Sequence, residues 1–381
     1  MKFSLFSKGQ SDNTGYVKKQ PLLRLPTAVK IIYAVAATCI PIYIAFLCSE
    51  RFSDFFNRYI SSVVRAVLAY ITNWIPFSFA EFFILLIPVW VILISRAVLK
   101  HFGDTWRETL SASVCVLSAL AIIFSTFTLG FASAYRGSTL DKKLGLERAD
   151  VSAEELYATA LILTENIKSE VGNVSYGADG FSVMPYGKAE MNDKLLDAFE
   201  TTSDKHQFIQ RLNSRIKPVM ISKAMSYTHI TGIYTFFTGE ANLNVDFPDY
   251  TLPYTAAHEL SHQRGIARED EANFVAYLVC SSSEDSYIRY TANLNLYEYV
   301  MSALASADYD LYLKAYARLP LCVKNELAAY SQFFDQYKDS TASEVSEAVN
   351  NTFLTMHGTE GTRSYGMVVD LAVAYYKAQI N

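Results

Sequence analysis

The chain has 381 residues, a formal net charge of −5 at pH 7 and a hydrophobic content of 51%. The mild negative charge counts against a nucleic-acid partner, because such proteins usually present a strongly basic surface. The hydrophobic content is high for a soluble protein, and its excess is concentrated in the first third of the chain. We therefore expect a multi-pass protein of the cell membrane that also carries a sizeable domain outside the bilayer.

The five cysteines do not suggest a disulfide-rich fold. Three of them fall in or beside apolar segments, which leaves Cys280 and Cys322 in the rest of the chain. We expect these two to be buried free thiols, with a bridge between them as the alternative.

Residues 1–26 are polar and basic, and they predict a flexible cytoplasmic tail. The membrane region that follows, residues 27–135, contains three apolar segments long enough to cross a bilayer. The three predicted spans are residues 27–48, 77–95 and 109–134. Pro88 is expected to kink the second span. The lipid bilayer is thus the first predicted partner of the chain.

Residues 52–75 are also apolar, but their pattern differs from that of a span. The apolar side chains fall on one helical stripe, and serine, arginine, threonine and asparagine occupy the other side. This pattern predicts a helix that lies in the interface or packs on its neighbours. With three spans and a basic tail inside, residues 136–381 are expected on the extracytoplasmic side.

A change of pattern at residues 230–246 predicts a strand or a hairpin that turns at Gly239. The residues after it read as one helix, with Pro253 near its start and Gly265 just past its end. His258 and His262 are four residues apart on this helix, so both imidazoles project from one face. Two such histidines suit a tetrahedral metal ion.

The sequence His258-Glu259-Leu-Ser-His262 resembles the His-Glu-x-x-His helix of zinc metallopeptidases. The residues downstream, Glu269-Asp-Glu-Ala-Asn273, resemble the second motif of the gluzincin peptidases, Glu-x-x-Ala-Asp or Glu-x-x-Ala-Asn. The whole chain is also similar to an uncharacterised bacterial family of multi-span, zincin-like membrane proteins. These resemblances imply a mainly α fold: N-terminal transmembrane helices, then a mostly helical, zincin-like α+β domain with a short strand or hairpin before the active-site helix.

The gluzincin resemblance implies that Glu269 is the third metal ligand and that Asn273 orients a histidine. Glu271 remains an alternative ligand. On a helix these two glutamates point about 200° apart, so only one of them can face the metal ion.

The resemblance further implies a membrane-anchored, zinc-dependent hydrolase whose substrate is a peptide or a protein. Zinc would lower the pKa of its bound water, and Glu259 would accept the proton. Tyr365 and His229 are candidate groups to stabilise the oxyanion. The alternative is a non-catalytic membrane sensor or scaffold that retains the zincin fold.

In zinc peptidases, the strand before the active-site helix commonly pairs with the substrate backbone. Three polar residues of the predicted hairpin would line such an edge: Glu240, Asn242 and Asn244. The alternative is an ordinary hairpin of the domain core.

Overall fold

The structure is a computed structural model that describes residues 25–101 and 106–380, without the side chains of residues 97, 98, 100, 101, 364, 365 and 380. Most of the predicted cytoplasmic tail therefore lies outside the described residues. The prediction of a mainly helical chain with apolar N-terminal helices is confirmed.

The helices up to residue 205 are α1 (Thr27–Cys48), α2 (Glu50–Phe56), α3 (Ser62–Asn73), α4 (Phe79–Leu85), α5 (Ile87–His101), α6 (Trp106–Phe127), α7 (Ser133–Arg136), α8 (Leu140–Leu144), α9 (Ala153–Val171) and α10 (Lys188–Lys205). Those that follow are α11 (Ser222–Ser226), α12 (Leu252–Gln263), α13 (Glu269–Ser281), α14 (Ser286–Ala307), α15 (Tyr309–Ala317), α16 (Leu321–Asp335), α17 (Thr341–Met356) and α18 (Val368–Ile380). Two π-helical turns, Asn57–Ser61 and Thr128–Ala132, continue α2 and α6.

The strands form two small sheets. In one, β1 (Ser175–Tyr176) pairs antiparallel with β2 (Ser182–Val183). The other contains β3 (Lys217–Pro218), β4 (Gly232–Thr235) and β5 (Glu240–Leu243) in the order β3-β5-β4. The β4–β5 hairpin turns at Gly239, which has the positive φ of 72° that a glycine adopts readily. Because β5 is central, β4 is an edge strand.

The chain divides into two compact units that do not follow the predicted boundary at residue 136. One comprises the chain up to Ile40 together with Leu85–Ser125, and the other comprises Pro41–Ile84 and the chain from Thr126 onward. In the second unit, α14 packs on α9, α13 and α18 around one hydrophobic core. Cys280 is buried in this core, and it and Cys322 are free thiols.

Two helical segments among the described residues are long and apolar enough to cross a membrane, Thr27–Cys48 and Trp106–Arg136. The second of these joins α6, a π-helical turn and α7. A third candidate consists of α4 and the first part of α5, which meet at an angle of 48°. The break lies just before Pro88, which cannot donate a backbone hydrogen bond to the preceding turn.

The segment predicted as an interfacial helix at residues 52–75 forms α2, a π-helical turn and α3. It packs through its polar side, since Ser61, Arg65 and Thr72 are buried, whereas its apolar side chains point outward and Trp74 is 90% exposed. A helix of a soluble domain shows the reverse pattern. The apolar surface of α3 therefore points outward, and its place at the membrane interface stays a prediction.

Arg65 explains why α3 belongs to the second unit. Its guanidinium donates to Asn57 Oδ1 at 2.8 Å, to the Gly130 carbonyl at 2.8 Å and to Gln210 Oε1 at 3.2–3.3 Å. Near the end of α3, the Lys217 ammonium donates to the Thr72 carbonyl at 2.6 Å. Buried charges need such partners, so these contacts hold α3 against elements far along the chain.

The same guanidinium packs against Gly265, in the turn that joins α12 to α13. Gly265 has a φ of +86°, and a Cβ at this position would lie 2.4 Å from Arg65 Nη2. The Gly265 carbonyl also accepts a hydrogen bond from Asn57 Nδ2 at 3.1 Å. This turn therefore tolerates no side chain.

We expect Gly265→Ala to destabilise the protein more than Gly145→Ala does. Gly145 also has a positive φ, of 68°, but a Cβ there would meet no atom within 4 Å. Both changes incur about 1–2 kcal/mol of backbone strain. Only Gly265→Ala must also displace the buried guanidinium, which adds roughly 1–3 kcal/mol. Thermal unfolding of the full chain in detergent measures the difference, and equal unfolding midpoints would contradict the role of Arg65.

Candidate metal centre

The helix pair α12 and α13 positions the predicted ligands. A turn with two hydrogen bonds ends α12: Gly265 N–H donates to the His262 carbonyl at 2.9 Å, and Ile266 N–H donates to the Ser261 carbonyl at 3.1 Å. This Schellman pattern reverses the chain after a glycine in the left-handed conformation. As a result α13 begins at Glu269 and places that side chain opposite the two histidines.

Three ligand atoms converge in this buried site. The Nε2 atoms of His258 and His262 are 3.0 Å apart, and Glu269 Oε2 lies 3.2 Å from the first and 3.4 Å from the second. These residues form a group whose ligand atoms all lie within 4.8 Å of one another. Glu269 Oε2 is buried, and the two imidazole nitrogens are its close polar neighbours among the described residues. Two imidazole nitrogens and one carboxylate oxygen are a donor set that suits zinc, so the residues present fit that ion.

A backbone carbonyl fixes the orientation of His262. Its Nδ1–H donates to the Ile266 carbonyl at 2.7 Å, within the turn after α12. The proton on Nδ1 leaves Nε2 as the atom with a free lone pair, and this atom faces Glu269. The turn that reverses the chain thus also selects the tautomer that a metal ligand needs.

The electrostatics of the site favour a bound cation. Burial alone would raise the pKa of the Glu269 carboxyl, but the nearby His262 and His258 outweigh it and lower that pKa. Burial would likewise lower the pKa of His262, but Glu269 and Glu259 outweigh it and raise the value to about 9. Positive charge between these side chains is therefore stabilised.

Glu259 lies beside the ligands and is 5% exposed. Burial raises its pKa to about 6, although the neighbouring histidines and the backbone N–H of Tyr234 act in the opposite direction. One carboxylate oxygen, Oε2, has no hydrogen-bond partner within the described part of the chain. A Cβ at Gly232 would lie 2.6 Å from Glu259 Cγ. The glycine in β4 therefore provides the space that this carboxylate occupies.

A cleft of about 1130 Å³ opens over these residues. Its lining includes β4, part of α14 and part of α17. The predicted edge is therefore present, but it is formed by β4 and not by the polar residues of β5. The prediction for Glu240, Asn242 and Asn244 is wrong because β5 is the central strand and all three side chains are buried, with partners inside the protein.

The structure separates the two alternative ligands of α13. Glu271 Oε1 accepts from Leu140 N–H at 2.9 Å and from Arg268 Nη1 at 3.1 Å, so its carboxylate faces away from the histidines. The Asn273 side chain lies beside the Tyr299 hydroxyl. Its predicted role in orienting a histidine stays a prediction, since the observed partner of His262 is a carbonyl.

Of the two candidate oxyanion groups, the structure describes the side chain of His229 but not that of Tyr365. His229 lines the cleft, but its Nε2–H donates to the Tyr337 carbonyl at 2.8 Å. Its backbone has a φ of 59°, which is unusual for a residue with a side chain. The Tyr365 side chain lies outside the described part of the structure, so its role stays a prediction.

Sequence reasoning missed the face of α14 that lines the cleft. Asn295, Glu298, Tyr299 and Ser302 share this face at helical spacing. Burial, then Glu298 and Glu269, raise the pKa of Tyr299 to about 12. Burial, then Glu326, raises the pKa of Glu298 to about 8. The spacing was visible in the sequence, but nothing in it indicated that α14 reaches the histidines.

We expect the full chain to bind about one zinc ion and Glu269→Gln to weaken that binding by more than about 100-fold. Loss of an outer hydrogen-bond partner alone costs roughly 10- to 100-fold in metal affinity, and loss of a ligand should exceed it. Competition with a chelator measures the affinity. The matched control is Glu271→Gln, which changes the same group two residues away and should keep zinc. A larger loss from Glu271→Gln would contradict the ligand assignment.

Comparison with known proteins identifies the family but no activity. No curated protein matches the chain, and no solved structure matches it. A family model described as "Protein of unknown function (DUF3810)" matches residues 53–373, which include the last part of α2 and the whole candidate metal centre. Because this match covers most of the sequence, the chain belongs to the DUF3810 family.

Proposed function

We propose that this protein is a membrane-anchored, zinc-dependent hydrolase that acts on peptide or protein substrates through a mostly helical, zincin-like domain. One observation carries the proposal: His258, His262 and Glu269 converge on one point inside a large cleft. Glu259 lies next to that point, with one carboxylate oxygen unoccupied. A purely structural group of buried acids and histidines would not need a free carboxylate beside it.

In this proposal His258, His262 and Glu269 hold the ion, which when bound supplies a Lewis acid and an acidified water. Glu259 Oε2 accepts the proton of the attacking water and later delivers it to the leaving nitrogen. The pKa of about 6 leaves the carboxylate mostly ionised at neutral pH and close to the value that suits both transfers. Because the site is buried, little bulk water competes for this proton.

The edge strand supports a peptide as the substrate. β4 pairs with β5 on one side only, and its residues line the cleft next to Glu259. An extended peptide can therefore add to this edge by backbone hydrogen bonds, whatever its side chains. Gly232 lies in that strand against Glu259, so an added chain would pass close to the general base.

The membrane anchor follows from the apolar segments. Three spans and a basic tail inside would put the catalytic domain on the extracytoplasmic side, and this orientation is part of the proposal. The outward apolar side of α3 adds a further lipid contact within the unit that bears the site.

We expect Glu259→Gln to keep zinc and to abolish hydrolysis, because an amide cannot accept the water proton. The measurement is zinc content together with cleavage of a quenched-fluorescence peptide library by the full chain. Glu347→Gln is the matched control, since Glu347 lines the same cleft but is exposed and should leave turnover unchanged. Loss of zinc in Glu259→Gln would mean that Glu259 is a ligand. Zinc without turnover in the unmodified protein would favour the non-catalytic sensor or scaffold.

For the topology, a reporter fused after residue 150 should be extracytoplasmic, and one fused near residue 102 should be cytoplasmic. The physical reason is that residues 52–75 pack in the second unit through polar side chains and do not count as a span. Paired alkaline phosphatase and fluorescent protein fusions distinguish the two sides. A cytoplasmic signal from the fusion at residue 150 would contradict the three-span arrangement.

A further inference from the structure

Glu298 is a further carboxylate in the cleft, separate from the candidate metal ligands. It projects from α14 and lines the cleft. Among the described residues its carboxylate forms no ion pair and no hydrogen bond, and the strongest charge that acts on it is another acid, Glu326. Glu298 is only partly buried, so its carboxylate is accessible to a molecule that enters the cleft.

Three tyrosines surround Glu298. Burial and then the charge of Glu298 raise the pKa values of Tyr250, Tyr299 and Tyr330, which places all three rings near this carboxylate. All three line the cleft, and the rings of Tyr250 and Tyr330 meet edge to face with centroids 5.7 Å apart. The Tyr250 hydroxyl is fully buried and has no hydrogen-bond partner. Aromatic faces with a carboxylate are the groups that bind an organic cation.

Apart from its histidines, the ionisable side chains of the cleft are mainly acidic. Four glutamates are among the described residues that line it, and no lysine or arginine is. A zinc ion would account for Glu269 and Glu259, and Glu347 is exposed to solvent. Among the described residues Glu298 has no positively charged partner, and the buried Glu326 nearby makes the local potential still more negative.

The position of Glu298 relates it to the metal centre. Tyr299, the next residue on α14, lies beside Asn273 and within the influence of Glu269. Asn273 is one helical turn from Glu269 on α13. A peptide bound at the candidate metal centre and extended along α14 would therefore reach Glu298.

We propose that Glu298, with the partly exposed rings of Tyr299 and Tyr330, forms a subsite for a positively charged group of the substrate. The inference rests on the proposed function and names its substrate class: peptides with an ammonium group, either the free N-terminus or a lysine side chain. Bound there, the cation receives an ion pair from the carboxylate and faces the aromatic rings. It also satisfies the acid that the fold leaves without a partner.

The test measures binding to the full chain in detergent, with Glu259→Gln present so that no peptide is consumed. The probes are hexapeptide pools in which one position is lysine or the uncharged norleucine, and the N-terminus is free or acetylated. Equilibrium dialysis with mass spectrometry measures the retained fraction of each pool. We expect at least one charged pool to bind about tenfold or more above the acetylated norleucine pool, since a hydrogen bond to a charged group supports that difference. The pool with the higher retained fraction identifies the source of the cation, either the free N-terminus or the lysine side chain.

Glu298→Gln should remove this preference, whereas the matched control Glu347→Gln should keep it. Both variants change a cleft carboxylate to its amide, so a general charge effect would change both alike. Tyr330→Leu provides a second variant, and it should weaken the charged pools a few-fold without changing the acetylated norleucine pool. Zinc content of each variant serves as the check that the site remains folded.

Three results would overturn the inference: equal retention of all pools, the same preference in Glu298→Gln, or no retention of any pool. Its failure is distinguishable from failure of the proposed hydrolase. Binding that depends on charge, without cleavage by the unmodified protein, would support the subsite and contradict the peptidase. Cleavage without a preference for charge would support the peptidase and contradict the subsite.

Discussion

The turn at Gly265 is the constraint on which the candidate site depends. Its positive φ reverses the chain between α12 and α13, and its missing side chain leaves room for the Arg65 guanidinium. The same turn directs the Ile266 carbonyl at His262 and brings Glu269 to face both imidazoles. One residue without a Cβ thus connects helix α3 to the orientation of the candidate ligands.

Much of the ligand geometry could be predicted from the sequence, because helical spacing fixes which side chains share a face. The pair His258 and His262 followed from that spacing, and Glu269 followed from a resemblance. Glu271 could not be rejected until the structure showed it bound to Arg268 and to the backbone of Leu140. Local spacing shows that two glutamates diverge, but it does not show which of them faces inward.

The sequence was least informative about features that depend on tertiary contacts. The hairpin was recognisable, but the parallel partner β3 makes β5 the central strand, and two residues of regular pairing leave almost no sequence signal. Glu298 lies on a helix that starts after the second motif, so no spacing relates it to the histidines. The compact units differ from the predicted division at residue 136, since Arg65 is hydrogen-bonded to Gln210, and such long-range bonds have no local pattern.

The polar side of α3 has a consequence for the order in which the protein is made. Arg65 leaves the ribosome early, yet its partner Gln210 is 145 residues further along, and the Gly265 turn comes later still. During that interval the Arg65 guanidinium, which is buried in the folded protein, has only some of its hydrogen-bond partners. A growing chain folds in the order in which its segments emerge. The hydrogen bonds that hold α3 in place are therefore completed only after the C-terminal half has been synthesised.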